Sequence, residues 1–159
     1  MAKPLIMIVE DEVEYADKVA NAVKGSGKYK TATAYSAYDA LNILKKNKVF
    51  FGLLPNRVEC VLLDIKMPGM DGLQFLEKIR KEYGNNIGVI ILTAYEDYDK
   101  WDRAITNLVA GYIKKPYDRQ DLLRTLDLFF KDNETYEHMV AKTYKEGLEK
   151  LDEFEKDKI

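Results

Sequence analysis

A single cysteine, a single histidine and a single tryptophan stand among the 159 residues. One thiol cannot close an internal disulfide. Cys60 falls in the apolar run "CVLL", so it reads as a buried structural thiol in a chain suited to a reducing compartment. His138 is far in sequence from the acid-rich stretches and reads as an exposed helix residue, not as a ligand or phosphoacceptor. Charge of one sign is also missing: 25 Lys and Arg face 27 Asp and Glu, interleaved, for a formal net charge of -2. Such a balance offers no broad field for nucleic acid or for an anionic membrane, so neither partner is expected. No apolar run approaches the length of a membrane span. The opening "MAKPLIMIVEDE" meets acids at once and is neither a secretory signal nor a span, which predicts a cytoplasmic protein. Internal repeats and Gly/Ser-rich linkers are absent as well. With 47% hydrophobic residues, the chain can bury one sizeable core, so one domain over residues 1–131 and an appendage over 132–159 are expected.

What is present is a strict alternation. Five short runs read as strands: "LIMIV" (5–9), "KTATA" (30–34), "VECVLLD" (58–64), "GVIIL" (88–92) and "GYIK" (111–114). Most are apolar throughout, the habit of parallel strands covered on both faces. Helix-period segments lie between and after them at 13–24, 36–47, 72–83, 97–109 and 118–131. This order predicts an α/β fold with a doubly wound parallel sheet, whose ligands bind beyond the carboxyl ends of the strands. Past residue 132, Tyr136, Val140, Tyr144, Leu148, Leu151 and Phe154 recur at helical spacing, predicting an amphipathic C-terminal helix in need of a partner surface. It either continues the preceding helix or restarts with Asp132 or Asn133 as N-cap.

The residues that end the strands point to the chemistry. The first run ends in Glu10-Asp11-Glu12, the third in Asp64, the fourth in Thr93-Ala94 and the fifth in Lys114-Lys115-Pro116. An unpaired carboxylate is costly to bury, so Asp64 should stand at its strand's mouth, within reach of water, a cation or a reaction partner. Clustered carboxylates repel and raise one another's pKa unless a cation holds them ionised. Mg²⁺ suits such a site, since it takes oxygen ligands, few protein carboxylates and keeps places for a phosphoryl oxygen. Asp64 is then the candidate nucleophile for a phosphoryl group, with Lys115 pairing one phosphoryl oxygen and the Thr93 hydroxyl bonding another. Taken singly, each element has a bland explanation as helix start, cap or turn; jointly, in this strand order, they favour function.

The stretches "IMIVEDE", "LLDIKMPGMDG", "ILTAY" and "GYIKKP", in this order, make the chain resemble the receiver domain of two-component response regulators, a chemotaxis-regulator-like superfamily. The likeness covers residues 4 to about 131. It implies a flavodoxin-like five-stranded sheet of order 2-1-3-4-5 flanked by helices, and Asp64 accepting phosphate from a sensor histidine kinase or phosphotransfer protein. It further implies Mg²⁺ held by Asp11, Asp64 and the backbone carbonyl of Lys66, with Glu10 acting through a metal-bound water. Thr93 and Tyr112 would form the switch pair and alter the face of the fourth helix, fifth strand and fifth helix. Lys66 and Tyr95 fall where relatives tune the lifetime of the phosphorylated state. The Lys115–Pro116 peptide is cis in this family.

Three stretches depart from the pattern. Glu10 stands where many relatives have aspartate. Residues 47–59 form a longer connection carrying Phe50, Phe51, Leu53 and Leu54, expected to pack back on the domain. "NLVAGY" replaces the usual Gly-Ala turn before the fifth strand, and Asn107 is expected to take the left-handed position there. In the fourth helix, Trp101 is expected to be partly exposed and at least one of Tyr98 and Trp101 to be core.

As for output, no helix-turn-helix is recognisable and direct DNA binding is not expected. An unidentified downstream protein is the expected target, and a homodimer would form through the face of helix 4, strand 5 and helix 5 or through the C-terminal helix. The alternative is a Mg²⁺-dependent aspartyl-nucleophile phosphatase or phosphotransferase, disfavoured because Lys66 stands where such enzymes carry a second aspartate. A dinucleotide-binding domain lacks its G-x-G-x-x-G after the first strand.

Overall fold

The computed structural model describes residues 2–94 and 98–158, apart from the side chains of residues 93 and 98–101. Its elements run β1 (Leu5–Val9), α1 (Val13–Gly25), β2 (Lys30–Ala34), α2 (Ala37–Lys46), β3 (Val58–Leu63), α3 (Gly72–Tyr83), β4 (Gly88–Thr93), α4 (Tyr98–Thr106), β5 (Gly111–Lys114), α5 (Arg119–Phe129) and α6 (Asn133–Asp157). All four strand pairings are parallel and the sheet order is β2-β1-β3-β4-β5. This is the expected doubly wound arrangement.

The continuous apolar runs follow from burial on both faces. Along β1, Met7 and Val9 enter one core layer with Leu44 of α2 and Phe75, Leu76 and Ile79 of α3. Ile6 and Ile8 enter the opposite layer with Val19 and Val23 of α1 and Leu122, Leu126 and Phe129 of α5. Strand residues alternate between the two layers, so a polar side chain at a buried position of a central strand is costly, and Glu59 of β3 is exposed. Cys60 belongs to the second layer, fully buried, and burial pushes its thiol pKa up, as a structural thiol requires.

Side chains start α2, α3, α5 and α6. Ser36 accepts from the Asp39 N–H at 3.1 Å, and Asp118 from the Asp121 N–H at 3.0 Å. Asp71 and Gln74 form a reciprocal capping box at the head of α3. Asp132 accepts from the Thr135 N–H at 2.7 Å, so α6 restarts after a break and does not continue α5.

In two places the sequence misleads. The left-handed residue before β5 is Leu108 (φ 55°), not Asn107. Asn107 is already committed: its side-chain amide donates to the Arg103 carbonyl at 2.7 Å, and its carbonyl accepts from Arg80 Nε at 2.7 Å. The reversal therefore falls on the next residue. The loop after α2 does not pack back either. Phe50, Phe51, Leu53 and Leu54 are 69%, 102%, 85% and 49% exposed. A tight turn at Phe50–Gly52, closed by the Leu53 N–H on the Phe50 carbonyl, and an antiparallel bridge between Val49 and Leu54 hold the tip as a small hairpin, which points these side chains outward. The expectations for Tyr98 and Trp101 fall outside the described side chains.

The C-terminal helix lies across α4, β5 and α5. Its most buried residues are not the apolar series but Thr143 and Gly147. Thr143 Oγ1 donates to the Ala110 carbonyl at 3.0 Å, just ahead of β5, and to the Met139 carbonyl at 2.8 Å. A Cβ at Gly147 would come within 2.4 Å of Ile105 Cγ2 on α4. Small residues let the helix backbone approach closely, and this turns Tyr144 (40% exposed) and Leu148 (43% exposed) toward solvent. The face of α4, β5 and α5, expected to be open to a partner copy, is occupied by the chain's own helix. His138 is exposed, as expected.

Gly147→Val tests this close contact. Valine raises intrinsic helix propensity over glycine, yet overpacking against Ile105 should lower stability by about 1–3 kcal/mol. Denaturant unfolding together with amide exchange in α6 checks it, and unchanged values in both would show that the contact is slack.

Candidate functional site

Sheet order decides what meets at the carboxyl edge. β1 and β3 are neighbours, and the Asp64 N–H donates to the Val9 carbonyl at 2.9 Å, which sets Asp64 beside the end of β1. The Glu10 N–H donates to the Ala34 carbonyl at 3.0 Å and keeps the next residues at the same edge. As a result, Glu10, Asp11 and Asp64 each bring a carboxylate oxygen to within 4.8 Å of the others. Lys115, directly after β5, reaches across to them. Its ammonium forms an ion pair with Glu10 and stands 3.7 Å from Asp64 Oδ1. The Lys115–Pro116 peptide preceding α5 is cis, as the resemblance implies.

The site is mostly dry. Glu10 is fully buried and Asp64 is 5% exposed, while Asp11 is half-buried. Burial pushes the Glu10 carboxyl above the ordinary carboxylate range, against the pull of Lys115. Asp64 is pushed up to about 7, first by burial and then by the charge of Glu10, with Lys115 opposing. Three carboxylates thus converge beside the Lys115 ammonium. A hard divalent cation answers this donor set, because the three converging groups offer oxygen alone.

Two neighbours of the site were not evident from sequence. Tyr15, in the first turn of α1, places its ring 4.5 Å from the Lys115 ammonium and packs edge-on against Tyr117 at 5.7 Å between ring centres. It falls beside Ala16 in the periodicity of α1 and reads there as ordinary helix surface. Burial pushes its hydroxyl pKa up to about 12, so the ring remains neutral under the lysine. Gly72 is the other. Its N–H donates to the Ile65 carbonyl at 2.8 Å, and a Cβ there would lie 2.1 Å from the Asp64 carbonyl oxygen. The turn after Asp64 closes back on its own start, which only glycine permits at that distance. Of the remaining expected residues, Tyr112 is on β5, half-buried, and Lys66 follows Asp64 by two positions. The Thr93 backbone pairs with Lys114; its side chain lies outside the described residues.

Sheet and site together define a doubly wound α/β protein with an acidic pocket at the strand ends. Residues 6–127 match the family described as the response regulator receiver domain, and the protein belongs to that family. Sporulation initiation phosphotransferase F of Bacillus subtilis is 32% identical over 123 residues, covering 77% of this chain and 90% of that protein. The transcriptional regulatory protein ZraR of Klebsiella oxytoca is 32% identical over 121 residues, covering 76% of this chain. The match spans 25% of the length of ZraR. Among solved structures, the Vibrio cholerae chemotaxis protein CheY4 superposes with a TM-score of 0.68 over 79% of this chain and 98% of that one, at 23% identity, a likeness of fold. The chain is thus a receiver domain of the two-component signalling class. Among the described residues no helix is long and apolar enough to cross a membrane.

A metal-free stability measurement tests the electrostatics. A carboxyl whose pKa is raised by folding destabilises the native state above that pKa, and the penalty fades as pH falls through about 7 toward the ordinary value. In EDTA at pH 8, Asp64→Asn should therefore be more stable than wild type by on the order of 2 kcal/mol, after allowing for solvent screening. The difference should shrink by pH 5. Equal melting temperatures at pH 8 would mean that the acids do not strain the site.

Proposed function

We propose that the chain receives a phosphoryl group on Asp64 from a phosphohistidine of a sensor histidine kinase or phosphotransfer protein. The convergence of Glu10, Asp11 and Asp64 within 4.8 Å, with Lys115 3.7 Å from Asp64, is the observation that carries this reading. The residues fit Mg²⁺. Asp11, Asp64 and the Lys66 carbonyl would hold it directly and Glu10 through a water, and the ion would neutralise charge on the phosphoryl oxygens. The Asp64 carboxylate attacks phosphorus, the P–N bond to the donor histidine breaks, and the imidazole leaves with its electron pair, taking up a proton. Lys115 exchanges part of its contact with Glu10 for a phosphoryl oxygen, and the Thr93 hydroxyl donates to another. The same pocket later admits water, which releases inorganic phosphate, so turnover is limited to the chain's own phosphorylation and dephosphorylation. A Mg²⁺-dependent aspartyl phosphatase is the weaker reading, because Lys66 stands where such hydrolases carry a second aspartate two residues after the nucleophile.

The receiver unit over 1–131 would then signal through its extension, 132–159. β5 joins the two: Lys115 follows its last residue, and Ala110, which accepts from Thr143 of α6, precedes its first. A shift of Lys115 toward phosphate, with Tyr112 following Thr93, would be felt under α6. The downstream protein would meet α6 or the face that α6 vacates. A cytoplasmic location fits a kinase donor.

Incubation with acetyl phosphate and Mg²⁺, read by intact mass, should add one phosphate to wild type and none to Asp64→Asn. An adduct that persists in the asparagine variant assigns the acceptor elsewhere. Amide exchange with beryllofluoride and Mg²⁺, compared with Mg²⁺ alone, should change within α6. Unaltered exchange there, alongside demonstrated beryllofluoride binding, would uncouple α6 from the pocket.

A further inference from the structure

The end of the molecule opposite the acidic pocket carries an apolar projection and an apolar hollow. The projection is the α2–β3 hairpin, with Phe51 and Leu53 almost wholly in solvent and Phe50 beside them. It is held firmly. The buried Asn56 side chain donates to the Leu44 carbonyl at 2.8 Å and accepts from the Val58 N–H at 3.0 Å, and the Arg57 N–H donates to the Asn47 carbonyl at 3.0 Å. Phe50 and Phe51 both hold positive φ, 48° and 55°, a conformation disfavoured for bulky residues. A monomer gains nothing visible from exposing large side chains on a strained, clamped turn.

The hollow is a groove of about 440 Å³ lined by Asn85, Leu108, Tyr136, Val140, Ala141 and Tyr144. It exists because α6 docks through Thr143 and Gly147 with Tyr136 and Val140 only half-buried and Tyr144 exposed. Arg80 fixes its rim, with Nε on the Asn107 carbonyl and Nη1 on the Ile87 carbonyl at 2.5 Å. The volume falls in the range, about 300–1,000 Å³, that accepts compact apolar groups.

We propose that the chain forms a two-fold symmetric dimer in which the Phe50-Phe51-Leu53 tip of each copy seats in the partner copy's groove between α6 and Leu108. Three observations favour a second copy. The chain itself supplies both the convex and the concave apolar surface. The two flank the same turn, since Asn85 lines the groove while Asn86 lies beside Gly52 and Leu54 at the base of the hairpin. A projection next to its own complement makes a self-complementary patch, so a two-fold axis closes both contacts at once and leaves none open for a filament. Charge agrees. Residues 45–57 carry Lys45, Lys46, Lys48 and Arg57 and no acid, Lys48 pairing with Glu82 at 3.7 Å, whereas Glu137 of α6 lines the groove. An anionic bilayer could take the tip, but it would repel this acid. The association stands apart from the phosphoryl chemistry and holds for unphosphorylated protein.

Sedimentation velocity on the full chain should show a concentration-dependent monomer–dimer equilibrium. Phe51→Ser with Leu53→Ser should shift it at least tenfold toward monomer, and so should Tyr144→Asp; all three positions are exposed, and circular dichroism should show the folds intact. Mixing the tip variant with the groove variant restores one complete contact, so a heterodimer should form where neither variant pairs alone. Monomeric wild type at high-micromolar concentration would overturn the proposal. A tip variant that still dimerises would overturn it in favour of an α6-to-α6 contact. A wild type that stays monomeric yet co-sediments with phosphatidylglycerol vesicles, with the tip variant not doing so, would reassign the tip to a lipid surface.

Discussion

The ion pair between Glu10 and Lys115 joins a fully buried carboxylate to an ammonium that also stands near Asp64. A buried pair contributes little net stability, but removing one member typically costs roughly 3–5 kcal/mol, because the remaining charge is left unpaired in a dry place. Here the imbalance is larger. Glu10, Asp11 and Asp64 converge beside Lys115, and burial raises the pKa of Asp64 and Glu10, with the charge of Glu10 adding to the rise at Asp64. The site is thus built in an electrostatically unsatisfied form. Under the proposed function, a cation or a phosphoryl group that re-engages Lys115 would change this balance, which is what a switch needs.

Such a change travels only if Lys115 is mechanically linked to something that can move. β5 is four residues long, Gly111–Lys114, with Lys115 beyond one end and Ala110 before the other. Ala110 accepts the hydroxyl of Thr143, and Ile105 of α4 packs on Gly147. These contacts pair small side chains of α6 with Ile105 and a backbone carbonyl, while Tyr136, Met139 and Val140 pack against the core nearer the start of the helix. Under the proposed function, a displacement of β5 would load the Thr143 hydrogen bond first.

The sheet and the pocket were legible because few alternatives satisfy the same constraints. Apolar runs such as "LIMIV" and "GVIIL" must be covered on both faces, strict βα alternation forces parallel pairing, and Asp64 at the end of "VECVLL" had to reach the edge. What escaped depends on tertiary approach distances that no periodicity encodes. In α6 the apolar spacing holds for its first turns, where Tyr136 and Val140 pack on the core, but further along the contact shifts to the neighbouring strip of Thr143 and Gly147 and leaves Tyr144 and Leu148 exposed, because close backbone approach outweighed side-chain area. Leu108 took the left-handed position because Arg80 already held the Asn107 carbonyl. Tyr15 became part of the site only through the path of Lys115. The 47–59 segment was expected to pack because it is apolar, yet its hydrogen bonds, Asn56 to Leu44 and Arg57 to Asn47, close the hairpin at its base and leave the tip outside the reach of either core layer.

Leu108 and the tip of the 47–59 segment place apolar groups on the surface at the amino end of the sheet, away from the acids, whereas Tyr15 joins the acidic site, and α6 reaches toward both ends. Its middle rests on the strand that leads to Lys115, and its first turns line the hollow that includes Leu108. Under the proposed function, α6 would be the element on which occupancy of the pocket is felt. The requirement is that α6 be held weakly enough at Thr143 and Gly147 to shift, and firmly enough at the Phe129–Tyr136 ring contact, 5.1 Å between centres, to remain attached when it does.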